Sequence, residues 1–168
     1  MRVYRLRGPS VSRVAQLMVK LKPEWWNYGG AMAQLNSGEG WYLANGDDLP
    51  AGWLLAKSLD AYKTLEIESL GYDEGGRLKI GPELQPLVDH CMARAARQGY
   101  VNVRLIMGSR GLSCHARKLG QPWSELKTLR VIDRGEFERF ISMGFEPWGL
   151  LPDIYGPGYH GVMLLKCI

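Results

Sequence analysis

Long apolar runs are missing from the sequence. None approaches the roughly 20 residues that a membrane-spanning helix needs, and the first stretch, MRVYRLRGPS, carries charge without the apolar segment of a secretory signal. The length of 168 residues, with 46% hydrophobic and 23% charged residues, is that of one globular domain with a core. We therefore expect a cytoplasmic protein without a membrane partner.

Cysteine is scarce, and its spacing excludes the common cysteine-based sites. Cys91, Cys114 and Cys167 are odd in number and form no Cys-x-x-Cys pair. This pattern is typical of free thiols in a reducing compartment and not of a disulfide framework or a zinc site. Cys114 precedes His115 directly, but the fold, not adjacency, usually brings a nucleophile to its base. We therefore predict no catalytic cysteine pair and no metal site.

Concentrated charge of one sign is also absent. Lys and Arg outnumber Asp and Glu by 21 to 17, which gives a net charge of +4 without a long basic block. The densest basic stretch, 110–130, contains Trp123, a side chain able to stack on a nucleic-acid base. A solvated surface accounts for the same distribution, so we expect no nucleic-acid partner and keep nucleic-acid binding as a minor alternative.

Two common phosphate-binding motifs, GxxxxGK[ST] and GxGxxG, are absent from the glycine-rich stretch 71–81. This stretch lies between a strand pattern and a helix pattern. N–H groups at a helix start bind anions, and glycines allow a phosphate to approach closely. The segment from Gly75 to Gly81 is therefore a candidate anion site, to which Arg77 and Lys79 add charge. An ordinary strand-to-helix turn has the same pattern.

The spacing of apolar residues predicts an alternation of strands and helices. Strands are expected at 3–6, 40–44, 51–57, 62–70, 101–107, 145–151 and 162–167. Helices are expected at 10–21, 24–35 and 133–143, opened by Ser10, Pro23 and Asp133, and at 82–97, with Pro82 or Pro86 at its start. The pattern between 110 and 132 is weaker and indicates a short helix, 110–119, and an extra strand, 125–132.

The strands 62–70 and 101–107, with the helix between them, form a β-loop-α-β unit. Such units contain parallel strands joined by a right-handed crossover. Strand 62–70 alternates, so that Tyr62, Glu66 and Glu68 share one face. A dense aromatic cluster, Trp25-Trp26-x-Tyr28, precedes the unit; it either packs in the core, which we favour, or walls a pocket.

The C-terminal third resembles the GNAT superfamily of N-acetyltransferases. The sequence 136–148 followed by 158–166 is similar to that family's closing pattern, in which a helix ends in a Leu/Met-Gly-Phe step, here Met143-Gly144-Phe145, before a final hairpin. The order of predicted elements is similar over nearly the whole chain. The resemblance implies an α/β (α+β) fold whose mixed, mostly antiparallel central sheet is flanked by helices. It implies a single domain, 1–168, with an insertion at 110–132.

The resemblance also implies acetyl-CoA as co-substrate. The family's [Q/R]xxGx[G/A] motif, whose backbone amides bind the pyrophosphate, matches 76–81: Gly81 is kept, while Gly76 replaces Gln or Arg and Lys79 replaces the middle glycine. Backbone donation does not require a particular side chain. The cofactor-binding residues implied are Leu70, Tyr72, Gly75, Gly76, Arg77, Lys79, Ile80 and Gly81.

For catalysis, the resemblance implies a carboxylate base on the fourth strand, which is Glu68 or Glu66, with Glu68 nearer the strand end. The family's proton-donating tyrosine is replaced by Phe140, so Tyr155 or Tyr159 is the candidate acid. These residues predict acetylation of a primary amine of a small molecule or protein, in a pocket near the aromatic cluster. The alternative is a catalytically degenerate GNAT-like binding or structural module. The acceptor and the oligomeric state stay open.

Overall fold

A single mixed sheet forms the framework of the computed structural model, which describes residues 1–133 and 135–168. The strands in this part of the chain are β1 (Arg2–Arg5), β2 (Glu39–Ala44), β3 (Pro50–Leu59), β4 (Thr64–Asp73), β5 (Leu78–Lys79), β6 (Asn102–Gly108), β7 (Glu146–Leu151) and β8 (Gly161–Cys167). The helices are α1 (Pro9–Leu21), α2 (Tyr28–Leu35), α3 (Gln85–Arg97), α4 (Pro122–Lys127) and α5 (Glu136–Ser142), with short 3-10 turns at Asp60–Tyr62 and Pro82–Leu84.

The strand order is β1-β2-β3-β4-β6-β8-β7, and β5 pairs with β4 alone. Only β4 and β6 run parallel; the other pairs are antiparallel. The predicted mixed, mostly antiparallel sheet is therefore confirmed, as is the β-loop-α-β unit, because α3 connects the two parallel strands.

Helices cover both faces of the sheet and bury two clusters of apolar side chains. On one face, α3 and α5 contribute Leu87, Val88 and Phe140 to the larger cluster. On the other face, α1 and α2 surround the fully buried Trp53 of β3. The apolar positions of α1 recur at helical spacing, so one stripe of this helix is buried against the sheet.

A notch opens where β4 and β6 diverge. The two strands pair only from Thr64 opposite Asn102 to Ile67 opposite Leu105. A β-bulge interrupts β4 at the same place, because Ala56 and Leu55 of β3 face Ile67 and Ser69 and leave Glu68 between them. Farther along, β5 pairs with the last two residues of β4. We call the gap between residues 68–71 of β4 and 106–108 of β6 the notch.

The start of α2 corrects one prediction. The helix begins at Tyr28 and not at 24, because the Asn27 side chain caps it by accepting a hydrogen bond from the Gly30 N–H at 2.7 Å. Pro23 lies in a turn. The predicted cap at Ser10 is also wrong: Gly8 is the capping residue, and Ser10 lies inside α1.

The segment 110–132 differs most from its predicted elements. Residues 110–119 form turns and no helix, and the predicted strand 125–132 is replaced by α4 and one β-bridge, Leu112 to Val131. Pro122 is suited to the first position of a helix and begins α4. The predicted cap at Asp133 is wrong as well, since α5 begins at Glu136 after Gly135.

The strand β4 begins later than predicted. Tyr62 lies in a 3-10 turn before β4 and not in the strand, because Lys63 adopts a left-handed conformation with φ 48°. Among the described residues, no helix has both the length and the apolar content required to cross a membrane.

Candidate active site

The face of the notch that carries α2 holds three of the four predicted catalytic residues. A cleft of about 450 Å³ is lined by Gln34, Ser37, Glu66, Ile67, Glu68, Ile106 and Tyr155. Because β4 is alternating up to its bulge, both glutamates project to this side. The β7–β8 connection, which lies far from β4 in the sequence, brings Tyr155 into the same cleft.

Glu66 is engaged by a neighbouring cation. Its Oε2 lies 2.5 Å from Nε of Arg104, and the two residues face each other across the parallel pair. Both side chains are only about a quarter exposed. Because Oε2 of Glu66 is already occupied by this charge-assisted hydrogen bond, Glu66 is less available than Glu68 to contact a molecule bound in the notch.

Glu68 is the carboxylate that remains accessible. It is exposed, and the Ser37 hydroxyl donates to its Oε2 over a long 3.4 Å, the one hydrogen bond of this side chain among residues 1–133 and 135–168. The β-bulge places Glu68 where β4 loses its contact with β6. A base at this position is able to accept a proton from a molecule bound in the notch.

Tyr155 and Tyr159 lie side by side but face different clefts. Their ring centroids are 5.2 Å apart. Burial, followed by the neighbouring Tyr159 and Glu66, raises the pKa of the Tyr155 phenol, which keeps its proton at neutral pH. Tyr159 packs directly on Gly108, where a Cβ would overlap its ring. Phe140 is buried against Phe145 and does not reach the notch.

The open end of the notch forms a second cleft of about 290 Å³, which we call the mouth cleft. It is lined by Lys22, Trp25, Leu78, Met107, Gly108, Arg110, Gly111, Asp133, Gly135, Glu136 and Tyr159. Trp25 is 61% exposed, with the Lys22 ammonium 4.7 Å from its ring centroid. The expectation of a core position is therefore wrong for Trp25 and also for the exposed Tyr28, while Trp26 is half-buried against Trp53.

The glycine-rich stretch is divided into two parts. Gly75 and Gly76 form the tip of the β4–β5 hairpin with φ of 61° and 86°, and the Asp73 carboxylate accepts a hydrogen bond from the Gly76 N–H. Because β5 separates this tip from α3, Gly75 and Gly76 do not adjoin the helix start, whereas Gly81 does. Arg77 is exposed at the tip, and Lys79 forms an ion pair with Glu74 at 3.0 Å.

Only the second part, 80–86, adjoins the start of α3, and a carboxylate already lies there. Oε2 of Glu83 is buried without a hydrogen-bond partner among the described residues, and a Cβ on Gly81 would lie 2.6 Å from it. Pro82 and Pro86 lack N–H groups. Burial, followed by the carboxylates of Glu83 and Glu74, raises the pKa of the adjacent Tyr72 phenol.

The remaining predicted cofactor residues line the same corner. Ile80 is buried, and Leu70 and Tyr72 pack against the larger apolar cluster. The sequence interpretation missed Arg104, although a cation in the middle of a predicted buried strand is a signal for an ion pair. It also missed Arg110 and Lys22, for which no local pattern exists.

Comparisons with known proteins agree with the architecture. No protein-family model matches the sequence, and no curated protein matches it either. The structure is similar to that of an aminoglycoside 6'-N-acetyltransferase complexed with coenzyme A, with a TM-score of 0.84, 14% identity and coverage of 99% of this chain and 97% of that one.

Two further solved structures give the same result. The aminoglycoside 6'-N-acetyltransferase from Enterococcus faecium has a TM-score of 0.83 at 15% identity, over 99% of this chain and 97% of that one. A Bacillus subtilis acetyltransferase in complex with CoA has a TM-score of 0.65 at 14% identity, over 99% of this chain and 98% of that one. The chain therefore has the fold of the GNAT acetyltransferases, as its closing pattern predicted.

Proposed function

We propose that this chain is an acetyl-CoA-dependent N-acetyltransferase that acts on a primary amine of a small molecule or a protein. The observation that carries the proposal is the notch, where a parallel pair diverges at a bulge that bears Glu68 and lies opposite Tyr155. In this proposal residues 1–168 are one catalytic domain, and 110–132 is an insertion in it.

The acyl donor would enter the notch along the free edge of β4. Residues 68–71 face β6 without pairing with it, so their backbone groups are available to an extended molecule that carries amides. The mouth cleft adds Lys22 and Arg110, which suit phosphate groups. Gly81 and the buried Ile80 would lie under the donor at the start of α3.

The acceptor amine would occupy the cleft on the α2 face. We assign Glu68 as the base that takes the proton which the amine nitrogen loses as it attacks the thioester carbonyl. When the C–S bond breaks, the thiolate takes the proton of the Tyr155 hydroxyl. Tyr155 fits this role better than Tyr159, because it shares a cleft with Glu68. Glu66 would hold Arg104.

Calorimetry with acetyl-CoA tests the donor half of the proposal. We expect micromolar binding that Gly81→Glu abolishes, because the new side chain would collide with Glu83 and Tyr72. Gly46→Glu is the control, since a Cβ there meets no atom within 4 Å. A thiol-release assay across primary amines then tests turnover. Absence of binding at millimolar acetyl-CoA would refute the proposal.

The second candidate is a catalytically degenerate GNAT-like binding or structural module. The buried Glu83 carboxylate favours it, because a negative charge at the start of α3 opposes an anionic donor. Acetyl-CoA binding without turnover on any amine would support this candidate over the enzyme.

A further inference from the structure

The connection between β7 and β8 carries both tyrosines of the site, and we call residues 152–160 the tyrosine loop. It contains little regular structure, yet it is held from outside by the first part of the 110–132 segment. The Ala116 N–H donates to the Gly158 carbonyl at 2.8 Å, and the Ser109 N–H donates to the His160 carbonyl at 2.9 Å. The backbone of Ala116 also lies against Gly158.

His160 is the centre of this attachment. Its side chain is fully buried. The Asp153 N–H donates to Nδ1 at 3.0 Å, and Nε2 lies 2.8 Å from the Arg117 carbonyl, an acceptor. An N–H donor suits a lone pair on Nδ1, and the Arg117 carbonyl suits a proton on Nε2. Oδ1 of Asp153 also lies 3.3 Å from Nδ1. The ring thus joins the beginning of the tyrosine loop to its end, and both to Arg117.

Ser109, which directly follows β6, extends the attachment toward the tyrosines. Its Oγ accepts a hydrogen bond from the His160 N–H at 3.1 Å and lies 3.1 Å from Nδ1 of His115. The edge of the His115 ring meets Tyr159, with centroids 5.2 Å apart and planes at 80°. Tyr159 in turn contacts Tyr155.

We propose that His160 is a positioning residue, which holds the tyrosine loop so that Tyr155 stays over the notch beside Glu66 and Glu68. The 110–117 segment supplies the fixed partner for this contact, which gives the segment a function in the site. The catalytic use of Tyr155 rests on the proposed function. The position of the loop does not depend on whether Tyr155 takes part in catalysis.

Two substitutions each retain one of the two hydrogen bonds of the His160 ring and remove the other. The amide nitrogen of His160→Gln is able to donate to Arg117 in place of Nε2 but leaves the Asp153 N–H without an acceptor. The amide oxygen of His160→Asn takes the place of Nδ1 and keeps the Asp153 contact. Thr64→Val is the control, because it removes one hydrogen bond of a buried side chain at the far end of β4.

The first measurement is amide hydrogen exchange at Asp153 and along the tyrosine loop. In His160→Gln we expect the Asp153 N–H to exchange at least about fivefold faster, as one lost buried hydrogen bond predicts. His160→Asn restores the slow exchange of Asp153, and Thr64→Val leaves it unchanged. Unchanged protection of Asp153 in a folded His160→Gln would overturn the proposal.

The second measurement follows Tyr155 itself by NMR titration of ring-labelled tyrosine, assigned with Tyr155→Phe. Release of the loop in His160→Gln is expected to lower the pKa of Tyr155 toward the ordinary phenol value, because burial and Glu66 no longer act on it. His160→Asn keeps the raised pKa. The same raised pKa in all variants would refute the positioning role, whether or not the chain is an acetyltransferase.

Turnover gives a third readout once an accepted amine is found. Because the proposed phosphate contacts, Lys22 and Arg110, lie outside the tyrosine loop, His160→Gln should lower kcat more than it changes the KM for acetyl-CoA. Equal changes in both would indicate a general structural defect and contradict the proposal. If His160→Gln does not fold, Ser109→Ala tests the same attachment, and we expect it to speed exchange in the tyrosine loop; unchanged exchange there would count against the proposal.

Discussion

Glu83→Gln removes the carboxylate that lies over Gly81 at the start of α3, and we expect the variant to bind acetyl-CoA more tightly than the unmodified chain. Oε2 of Glu83 is buried beside the Tyr72 phenol and forms no ion pair among the described residues, so removal of the charge breaks no salt bridge there. The glutamine has nearly the same shape, and it leaves the apolar packing of this corner unchanged.

The size of the effect follows from the distance between two like charges. Unit charges about 6 Å apart repel by about 3 kcal/mol at an effective dielectric constant of about 20, and by about 0.7 kcal/mol in bulk water. Glu83 is half-buried, and its side chain is able to rotate away from a bound phosphate. We therefore expect a gain of about 1–2 kcal/mol, which corresponds to a Kd about 5- to 30-fold lower.

Isothermal titration calorimetry at two salt concentrations measures this gain. The gain should shrink as salt rises, because added ions screen the repulsion. Glu146→Gln on the edge strand β7 is the control, since it makes the same change of charge on an exposed residue away from the start of α3. Equal or weaker binding by Glu83→Gln would refute the reasoning. Failure of both proteins to bind would refute the proposed function instead.

Three further predictions follow from the site and its surroundings. Glu68→Gln should lower turnover about 100- to 10,000-fold and leave acetyl-CoA binding intact; unchanged turnover would reject Glu68 as the base. The pKa of Tyr155 lies above the usual phenol value of 10.0, so turnover should persist up to about pH 10. Tyr155→Phe should lower kcat and abolish the fall of kcat at higher pH. The ion pair with Arg117, followed by the Gly120 N–H, lowers the pKa of Glu125 from 4.5 to about 2, so this pair stabilises the fold above about pH 4.5 and loses its effect toward pH 2. The midpoint temperature of thermal unfolding should therefore change less between these pH values in Glu125→Gln than in the unmodified chain. An identical pH dependence of the two midpoints would contradict a stabilising role of the Arg117–Glu125 pair.

Local patterns were sufficient to predict most of the framework. The parallel pair and α3 followed from the apolar spacing of 62–107, and the last two strands followed from the apolar spacing of 145–151 and 162–167. The errors occurred where a single residue decides the outcome. Asn27 caps α2 and delays its start, and Pro122 begins α4 where an alternating pattern favoured a strand.

The candidate site was predicted only in part, for a similar reason. Placing Glu66 and Glu68 on one face required nothing beyond strand alternation. The difference between them depends on the register of β4 against β6 and β3, which pairs Glu66 with Arg104 and leaves Glu68 at the bulge. Register between segments that lie far apart in the chain has no local signature.

The sequence by itself therefore determined the β-loop-α-β unit, the closing hairpin and the residue types available for acyl transfer, because these depend on short-range periodicity. Tertiary structure alone decided that Glu83 lies over Gly81 and that Tyr155 and not Tyr159 shares a cleft with Glu68. It also decided that the His160 ring forms hydrogen bonds with Asp153 and Arg117 in the loop that carries both tyrosines and beside it. Each of these contacts depends on side-chain packing around a buried group, and packing is settled only when the whole chain has folded.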